Sequence, residues 1–175
     1  MNIIVAVDNH WGIGNNGELL YHIKEDMKRF KKLTMGKCVI MGRKTFESLP
    51  DKKPLSGRTN IILTSDMNYK VEGAIVVHSI EELKKETYKF KKEDAILIGG
   101  ESLYNQLLTY CDQIFLTLIT PTNPNDRKIS DSIFPDIDNN PNWDWTYKDD
   151  IEYDEDNDVN YQFITYRNKY PYTQI

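Results

Sequence analysis

The chain has 175 residues, 39% of them hydrophobic and 28% charged, with a formal net charge of −5. That length suits one domain, residues 1–175, with a core and a ligand cleft, and that composition excludes a wholly disordered chain. No apolar run approaches the ~18–20 residues of a membrane span, and no signal-like segment follows Met1, so a cytoplasmic location without membrane contact is expected. The acidic balance argues against nucleic-acid binding.

The first apolar run, Ile3–Val7, reads as a strand and is followed by Gly12, Gly14 and Gly17 in a G-x-G-x-x-G pattern. In a dinucleotide-binding turn those glycines directly follow the strand and open a helix. Here Asp8 to Trp11 intervene, the helical pattern waits until Lys24, and no acid follows the second strand. The glycines therefore serve a loop with another task.

Lys24–Leu33 carries a helical period. On its wheel Ile23, Met27, Phe30 and Leu33 form the apolar arc, and Asp26 falls between Phe30 and Leu33. Lys24, Lys28, Arg29, Lys31 and Lys32 take the outer face. Asp26 is either a wet first-turn acid favoured by the helix dipole or a carboxylate held for a cationic or amidine-like ligand. Cys38–Met41 is the second strand; Gly42 then permits a turn, and Arg43, Lys44 and Thr45 open a helix over Lys44–Leu49. The turn looks like the end of a phosphate-binding P-loop but lacks its spacing. Its helix start, two basic residues and hydroxyl still suit a phosphate. Arg58, ahead of the strand Asn60–Leu63, is either a surface arginine or a clamp for a ligand carboxylate.

Ala74–Val77 is a further strand, and Ser79 with Glu82 forms a capping-box pattern for the helix Ile80–Phe90. The strand Ala95–Ile98 runs into Gly99-Gly100 and the helix Glu101–Leu108, a second turn able to face a pyrophosphate. Gln113–Ile119 is the next strand, and Thr120–Ser132 reads as a mobile surface excursion. Alternation at Trp143, Trp145 and Tyr147, and again at Val159, Tyr161 and Phe163, predicts an antiparallel hairpin with an acidic turn. Cys38 and Cys111 suit buried thiols, and no metal site is expected. Strands alternating with helices predict an α/β fold.

Together these segments carry a resemblance. The motifs are Ile3–Gly14, Asp26-Met27-Lys28-Arg29-Phe30-Lys31, Val39–Pro50, Leu55–Ser65, Ile98–Tyr104 and Phe115-Leu116-Thr117. In this order and spacing, from end to end, the chain resembles dihydrofolate reductase. The resemblance implies an α/β fold with one mixed, mostly parallel sheet of about eight strands, an antiparallel C-terminal hairpin and about four flanking helices. It implies NADPH-dependent reduction of 7,8-dihydrofolate, with hydride passing from nicotinamide C4 to pterin C6 and a proton to N5. It also implies antifolate inhibitors as ligands and a role supplying tetrahydrofolate to one-carbon metabolism and thymidylate synthesis; a monomer is the default.

The same resemblance assigns residues. Asp26 matches the acid pairing with the pterin 2-amino and N3 side, Thr117 its support, and Tyr21 the residue that helps order water beside it. Met27, Phe30 and Leu49 match positions packing on the pterin and aminobenzoyl groups, and Arg58 matches the clamp on the glutamate α-carboxylate. Val5, Ala6 and Ile98 line the floor, Ala6 and Ile98 also meeting nicotinamide. For NADPH, Ile13, Gly14, Gly17 and Leu19 belong to the loop closing over the nicotinamide, its glycines supplying hinge freedom. Gly42, Arg43, Lys44 and Thr45 match a phosphate site, with Leu63, Thr64, Ser65 and His78 on the adenosine side. Arg43 and Ser65 are expected at the 2′-phosphate. Gly99, Gly100, Glu101, Ser102, Leu103 and Tyr104 match the turn and helix at the pyrophosphate, where the Gly-Gly peptide is typically cis in this family. The chain departs from the pattern at Leu20-Tyr21, where Pro-Trp is usual, at Lys24, where proline is usual, and in a longer loop before Phe134-Pro135. Asp131 matches the acid that latches the catalytic loop. A reductase of riboflavin synthesis should lack the Asp26–Phe30 pair and the Arg58 clamp. A silent binding module would not need acid, clamp and two phosphate sites together.

Overall fold

The apolar run at the N-terminus forms β1 (Asn2–Asp8), which lies mid-sheet with almost every residue buried. A run without alternation suits a strand covered on both faces, as the parallel part of an α/β sheet requires. In the computed structural model, which describes residues 1–172, the remaining elements follow in chain order; the last three residues of the expected 1–175 domain lie outside it. They are β2 (Gly12–Asn15), β3 (Glu18–Leu19), α1 (Lys24–Thr34), β4 (Cys38–Gly42), α2 (Arg43–Glu47), β5 (Thr59–Leu63), β6 (Ile75–Val77) and α3 (Ile80–Thr87). Then come β7 (Ala95–Gly99), α4 (Glu101–Leu107), β8 (Gln113–Pro121), β9 (Ser132–Ile133), β10 (Trp143–Lys148), β11 (Glu152–Asp154) and β12 (Val159–Asn168).

The main sheet runs β10-β12-β8-β1-β7-β4-β5-β6, with β11 beside β12. Pairs from β8 through β1, β7, β4 and β5 to β6 are parallel, and β12 adds antiparallel to β8. The mixed sheet, four helices and antiparallel end match the expected fold class. The carboxyl ends of β1, β4 and β7 lie together, the usual place for ligands on an open α/β sheet.

Helix ends differ from the sequence pattern for local reasons. The helix expected over Lys44–Leu49 runs from Arg43 to Glu47; Leu49, preceding Pro50, is extended at φ −66°, ψ 151°. The Ile80–Phe90 helix stops at Thr87, whose Oγ1 donates back to Leu83 O and Lys84 O. Ser79 caps it by accepting from Glu82 N at 3.1 Å, while the Glu82 carboxylate accepts from His78 N, one residue earlier than a capping box requires. The last helix ends at Leu107 and tightens into a 3-10 turn over Leu108–Tyr110.

The acidic turn is not simply solvated. Asp156 pairs with Lys24 at 2.7 Å, and Asn157 Nδ2 donates to His22 O, tying the hairpin to the start of α1. Cys38 and Cys111 are free and buried, and burial pushes both thiols up to about 12. Among the described residues no helix is long and apolar enough to cross a membrane, and no group of side chains could hold a metal.

Candidate active site

Asp26 lies half-buried in the first turn of α1, pointing towards the sheet. Its Oδ1 accepts from Thr117 Oγ1 at 2.5 Å; Thr117 sits mid-β8, opposite Ala6 of β1, and is fully buried. Desolvation holds the Asp26 carboxyl above the usual carboxylate range, outweighing the opposing hydrogen bond and the Arg29 charge. Its Oδ2 has no partner among the described residues, although it is not sealed from solvent. Such an oxygen can accept from a ligand's N–H pair or hold a proton.

Of the expected apolar arc only Ile23, just ahead of α1, enters the core. Met27 is 45% exposed and Phe30 and Leu33 are half-buried; within the helix itself only Thr34 is buried. With half-buried Leu49 after α2 and Ala6 and Ile98 at the sheet, they leave apolar surface for a ligand to cover. Val5 is buried behind it. Arg58 Nη1 donates to Thr34 Oγ1 at 3.2 Å and its Nε to Ser56 O, which fixes the guanidinium at the far end of α1. Asp26 and Thr34 are eight residues apart in the helix, so Asp26 and the Arg58 contact lie ~12 Å apart along its axis.

Arg29 is the residue that sequence reasoning misplaced. Its guanidinium does not join the lysines on the outer face; Nη1 donates to Leu116 O and Thr117 Oγ1, and Cζ sits 4.4 Å above the Phe163 ring. The signal was present, because residues three apart on a helix are neighbours, and Arg29 follows Asp26 by three.

Strand-to-helix turns after β4 and β7 stand side by side. Gly42 and Gly100 are the residues before α2 and α4, and neither helix has a side-chain cap, so their first amides are free for an anion. Thr45 Oγ1 packs against the Gly99-Gly100 peptide, which is cis; a Cβ on Gly100 would lie 3.1 Å from it. Tyr104 is buried, donating from its hydroxyl to Ile4 O, and Leu103 is buried beside Gly42. Glu101 is half-buried and Ser102 exposed.

On the adenosine side, His78 Nδ1 lies 3.1 Å from Thr64 O, Leu63 is half-buried and Ser65 exposed. Arg43 is already engaged: Nη1 lies 3.4 Å from Asp66 Oδ2, Nε 3.8 Å from Glu47, and its guanidinium lies over Tyr69. Lys44 is exposed.

The glycine loop has more structure than its sequence suggests. β2 pairs with β3 and with β9, forming a separate three-stranded sheet. Asn16 and Gly17 both have positive φ, 51° and 82°, as a two-residue hairpin turn needs. A Cβ on Gly14 would sit 2.5 Å from Glu18 O, so close strand approach requires that glycine. Turn geometry and packing thus account for glycines expected as hinges; Ile13 is half-buried and Leu19 40% exposed.

The segment Thr120–Ser132, expected as a mobile surface excursion, is exposed over most of its length but is tied to this loop. Arg127 Nε donates to Asp8 Oδ2 at 3.1 Å, Lys128 Nζ to Leu20 O at 2.7 Å, and Asn15 Nδ2 to Ile129 O. Asp131 accepts from Asn16 N at 2.8 Å, while its own N donates to Gly14 O. Asp8 is the hub: its buried Oδ1 also accepts from His10 N and Gly12 N. Tyr21 lies beneath the Lys128 ammonium, 4.5 Å from it, and its buried hydroxyl has no hydrogen-bond partner among the described residues. Asp8 directly after an apolar strand and before a glycine loop was the available signal for this hub.

An acid bonded to a mid-sheet hydroxyl, an arginine before β5 bonded to the far end of the same helix, and two adjacent strand-to-helix turns suit the family that the sequence matches. The family model for dihydrofolate reductase matches residues 1–168. The chain is a member of the dihydrofolate reductase family. It is 34% identical to the dihydrofolate reductase of Bacillus subtilis (strain 168) over 169 residues, 97% of this chain and 95% of that one. It is 39% identical to that of Staphylococcus aureus (strain Mu50) over 119 residues, 68% and 70% of the two chains. A solved dihydrofolate reductase from Enterococcus faecalis, complexed with NADP(H) and RAB-propyl, superposes with a TM-score of 0.83 at 32% identity, covering 95% of both chains.

Proposed function

We propose that this chain, as a single domain, reduces 7,8-dihydrofolate to 5,6,7,8-tetrahydrofolate with NADPH. The observation that carries the reading is Asp26: a half-buried carboxyl with a raised pKa, one oxygen on Thr117 and the other available to a ligand. In this reading Oδ2 accepts from the pterin N3 and 2-amino groups. A carboxyl that holds its proton above the usual range can pass one towards N5 through water. Thr117 keeps the carboxyl plane fixed, and Tyr21, whose hydroxyl has no hydrogen-bond partner among the described residues, is available to that water. Phe30, Leu49 and Met27 cover the ring and aminobenzoyl group, and Arg58, ~12 Å along α1, meets the glutamate α-carboxylate.

The residues present fit NADPH. Free amides before α2 and α4, the Thr45 hydroxyl and the charges of Arg43 and Lys44 suit the pyrophosphate and 2′-phosphate; Thr64, Ser65 and His78 suit the adenosine. When bound, NADPH supplies the hydride, from nicotinamide C4 to pterin C6. The strapped loop Gly12–Leu19 covers that end and excludes water. The enzyme works as a cytoplasmic monomer, supplies tetrahydrofolate for one-carbon metabolism and is open to antifolates.

Loss of NADPH absorbance on adding dihydrofolate, blocked by a 2,4-diaminopyrimidine antifolate, is the test. NADPH binding without turnover would leave a silent module and sink the reading.

A further inference from the structure

We propose that Arg29 is a positioning residue that fixes the direction of the Thr117 hydroxyl, so that its only proton is given to Asp26 Oδ1. The inference rests on the reading of Asp26 as the ligand-binding acid.

The argument is one of donors and acceptors. A threonine hydroxyl has one proton and two lone pairs, whereas an arginine has donors only. Thr117 is fully buried, and its backbone is committed to β1 on one side and β12 on the other. Its hydroxyl meets Asp26 Oδ1 at 2.5 Å and Arg29 Nη1 at 3.4 Å. Because Arg29 cannot accept, Thr117 accepts from it and turns its proton to the carboxyl. Oδ1 is thereby an acceptor only, and any proton Asp26 carries resides on Oδ2, the atom open to a ligand.

Two further contacts hold Arg29 to this task. Nη1 donates also to Leu116 O at 3.3 Å, and the guanidinium stacks at 4.4 Å on Phe163, which pairs across β12 with Thr117. The Phe163 ring is braced by Tyr161, 5.4 Å between centroids. A lysine-like point charge would not need that planar stack; a guanidinium gains from it. The groups acting on this site are few. Asp26 faces Arg29 from its own helix and Thr117 from β8, Tyr104 acts from α4, and Asp149 after β10 acts on Arg29.

The test reads the proton without needing turnover. In protein labelled with 13C at aspartate carboxyls, the Asp26 resonance is assigned by its absence in Asp26→Asn and titrated with pH. Arg29→Met, which keeps reach and apolar packing, should move the midpoint to higher pH. In the Thr117→Val background the same change should produce a smaller rise, because only the direct pull of the Arg29 charge is left once the hydroxyl is gone. Arg29→Lys, which restores a donor and a charge of nearly the same reach, should return the midpoint towards wild type. An unmoved midpoint, an equal rise with and without the Thr117 hydroxyl, or a lysine variant titrating like the methionine one would overturn the proposal. Thermal melts check folding, and Arg29→Gln replaces Arg29→Met if the latter does not fold. Wild-type NADPH oxidation with dihydrofolate is scored separately, so failure of that activity and failure of the Arg29 relay are distinguishable.

Discussion

Two acids, Asp8 buried at the end of β1 and Asp26 half-buried in the first turn of α1, are built in opposite ways. Asp8, at the end of β1, spends both oxygens on the protein: two backbone amides on Oδ1 and the Arg127 guanidinium on Oδ2. Asp26 spends one oxygen on Thr117 and leaves the other unused by the described residues. A carboxylate whose lone pairs are filled by its own chain is a structural bolt, whereas one left half-satisfied in partial burial carries an energetic debt that a ligand can settle. The difference teaches where to look for function: at the acid the fold has not finished satisfying.

Substituting each acid should separate the two roles. Asp26→Asn should lower turnover at pH 7 by ~10²–10⁴-fold, the range for losing a general acid, while NADPH titrations stay near wild type. The same variant should melt at a higher temperature than wild type at neutral pH. The sign follows from the raised pKa: the folded state holds the Asp26 proton more tightly than the unfolded one, so wild-type stability falls as pH rises from 3.8 through the folded value. Below both values the two proteins should melt alike. Unchanged turnover would remove Asp26 from the mechanism, and an Asn variant less stable at pH 7 would show the carboxylate to be a bolt after all.

Asp8→Ala should do the reverse. It strands the Gly12 and His10 amides and the Arg127 guanidinium, for a loss of ~2–3 kcal/mol in urea unfolding. Amides of Gly12–Asn15 should exchange faster, and Asp26 should titrate as in wild type. A stability loss with no change in exchange in that loop would break the view of Asp8 as its anchor.

Arg43 offers an intermediate case, since it is already held by Asp66 and Glu47. Arg43→Ala should weaken NADPH binding by ~10–100-fold, the worth of a charge-assisted contact, and NADH binding by much less. Fluorescence titration with both cofactors decides it; equal losses would leave Arg43 to brace the Asp66 turn alone.

What sequence could and could not disclose follows the same division. Asp26, Thr45 and Gly99-Gly100 were legible because their immediate neighbours, an apolar arc or a strand-to-helix turn, constrain them locally. The strands of the parallel sheet were legible for the same reason, being apolar runs without alternation. The glycine-loop sheet was not, because β2, β3 and β9 are two to four residues long and owe their pairing to a segment more than a hundred residues away. Arg127 and Lys128 lie in an exposed, polar stretch whose composition reads as a free loop; Asp8, Leu20 O and the Tyr21 ring give them partners. Arg29 was hidden by the lysines around it, which set a basic face on the wheel that one long side chain does not obey.

Asp131 gives the smallest effect and the sharpest contrast with Asp26. It is exposed, yet the Asn16 amide and the Ser132 hydroxyl hold its carboxyl below the usual range. Its folded state therefore binds a proton less readily than the unfolded chain, the opposite sense to Asp26. The latch it makes on Asn16 is fully present above pH 3.8 and is lost only as pH falls through the lowered folded value. Near neutral pH, Asp131→Asn should speed exchange of the Asn16 amide while leaving the melting temperature almost unmoved, as befits a solvent-screened group. As pH falls through that value, wild-type exchange should approach that of the variant, once the intrinsic pH dependence is divided out. Exchange at Asn16 that is the same in wild type and variant at every pH would mean the backbone bond from Asp131 N to Gly14 O, not the carboxylate, holds the loop.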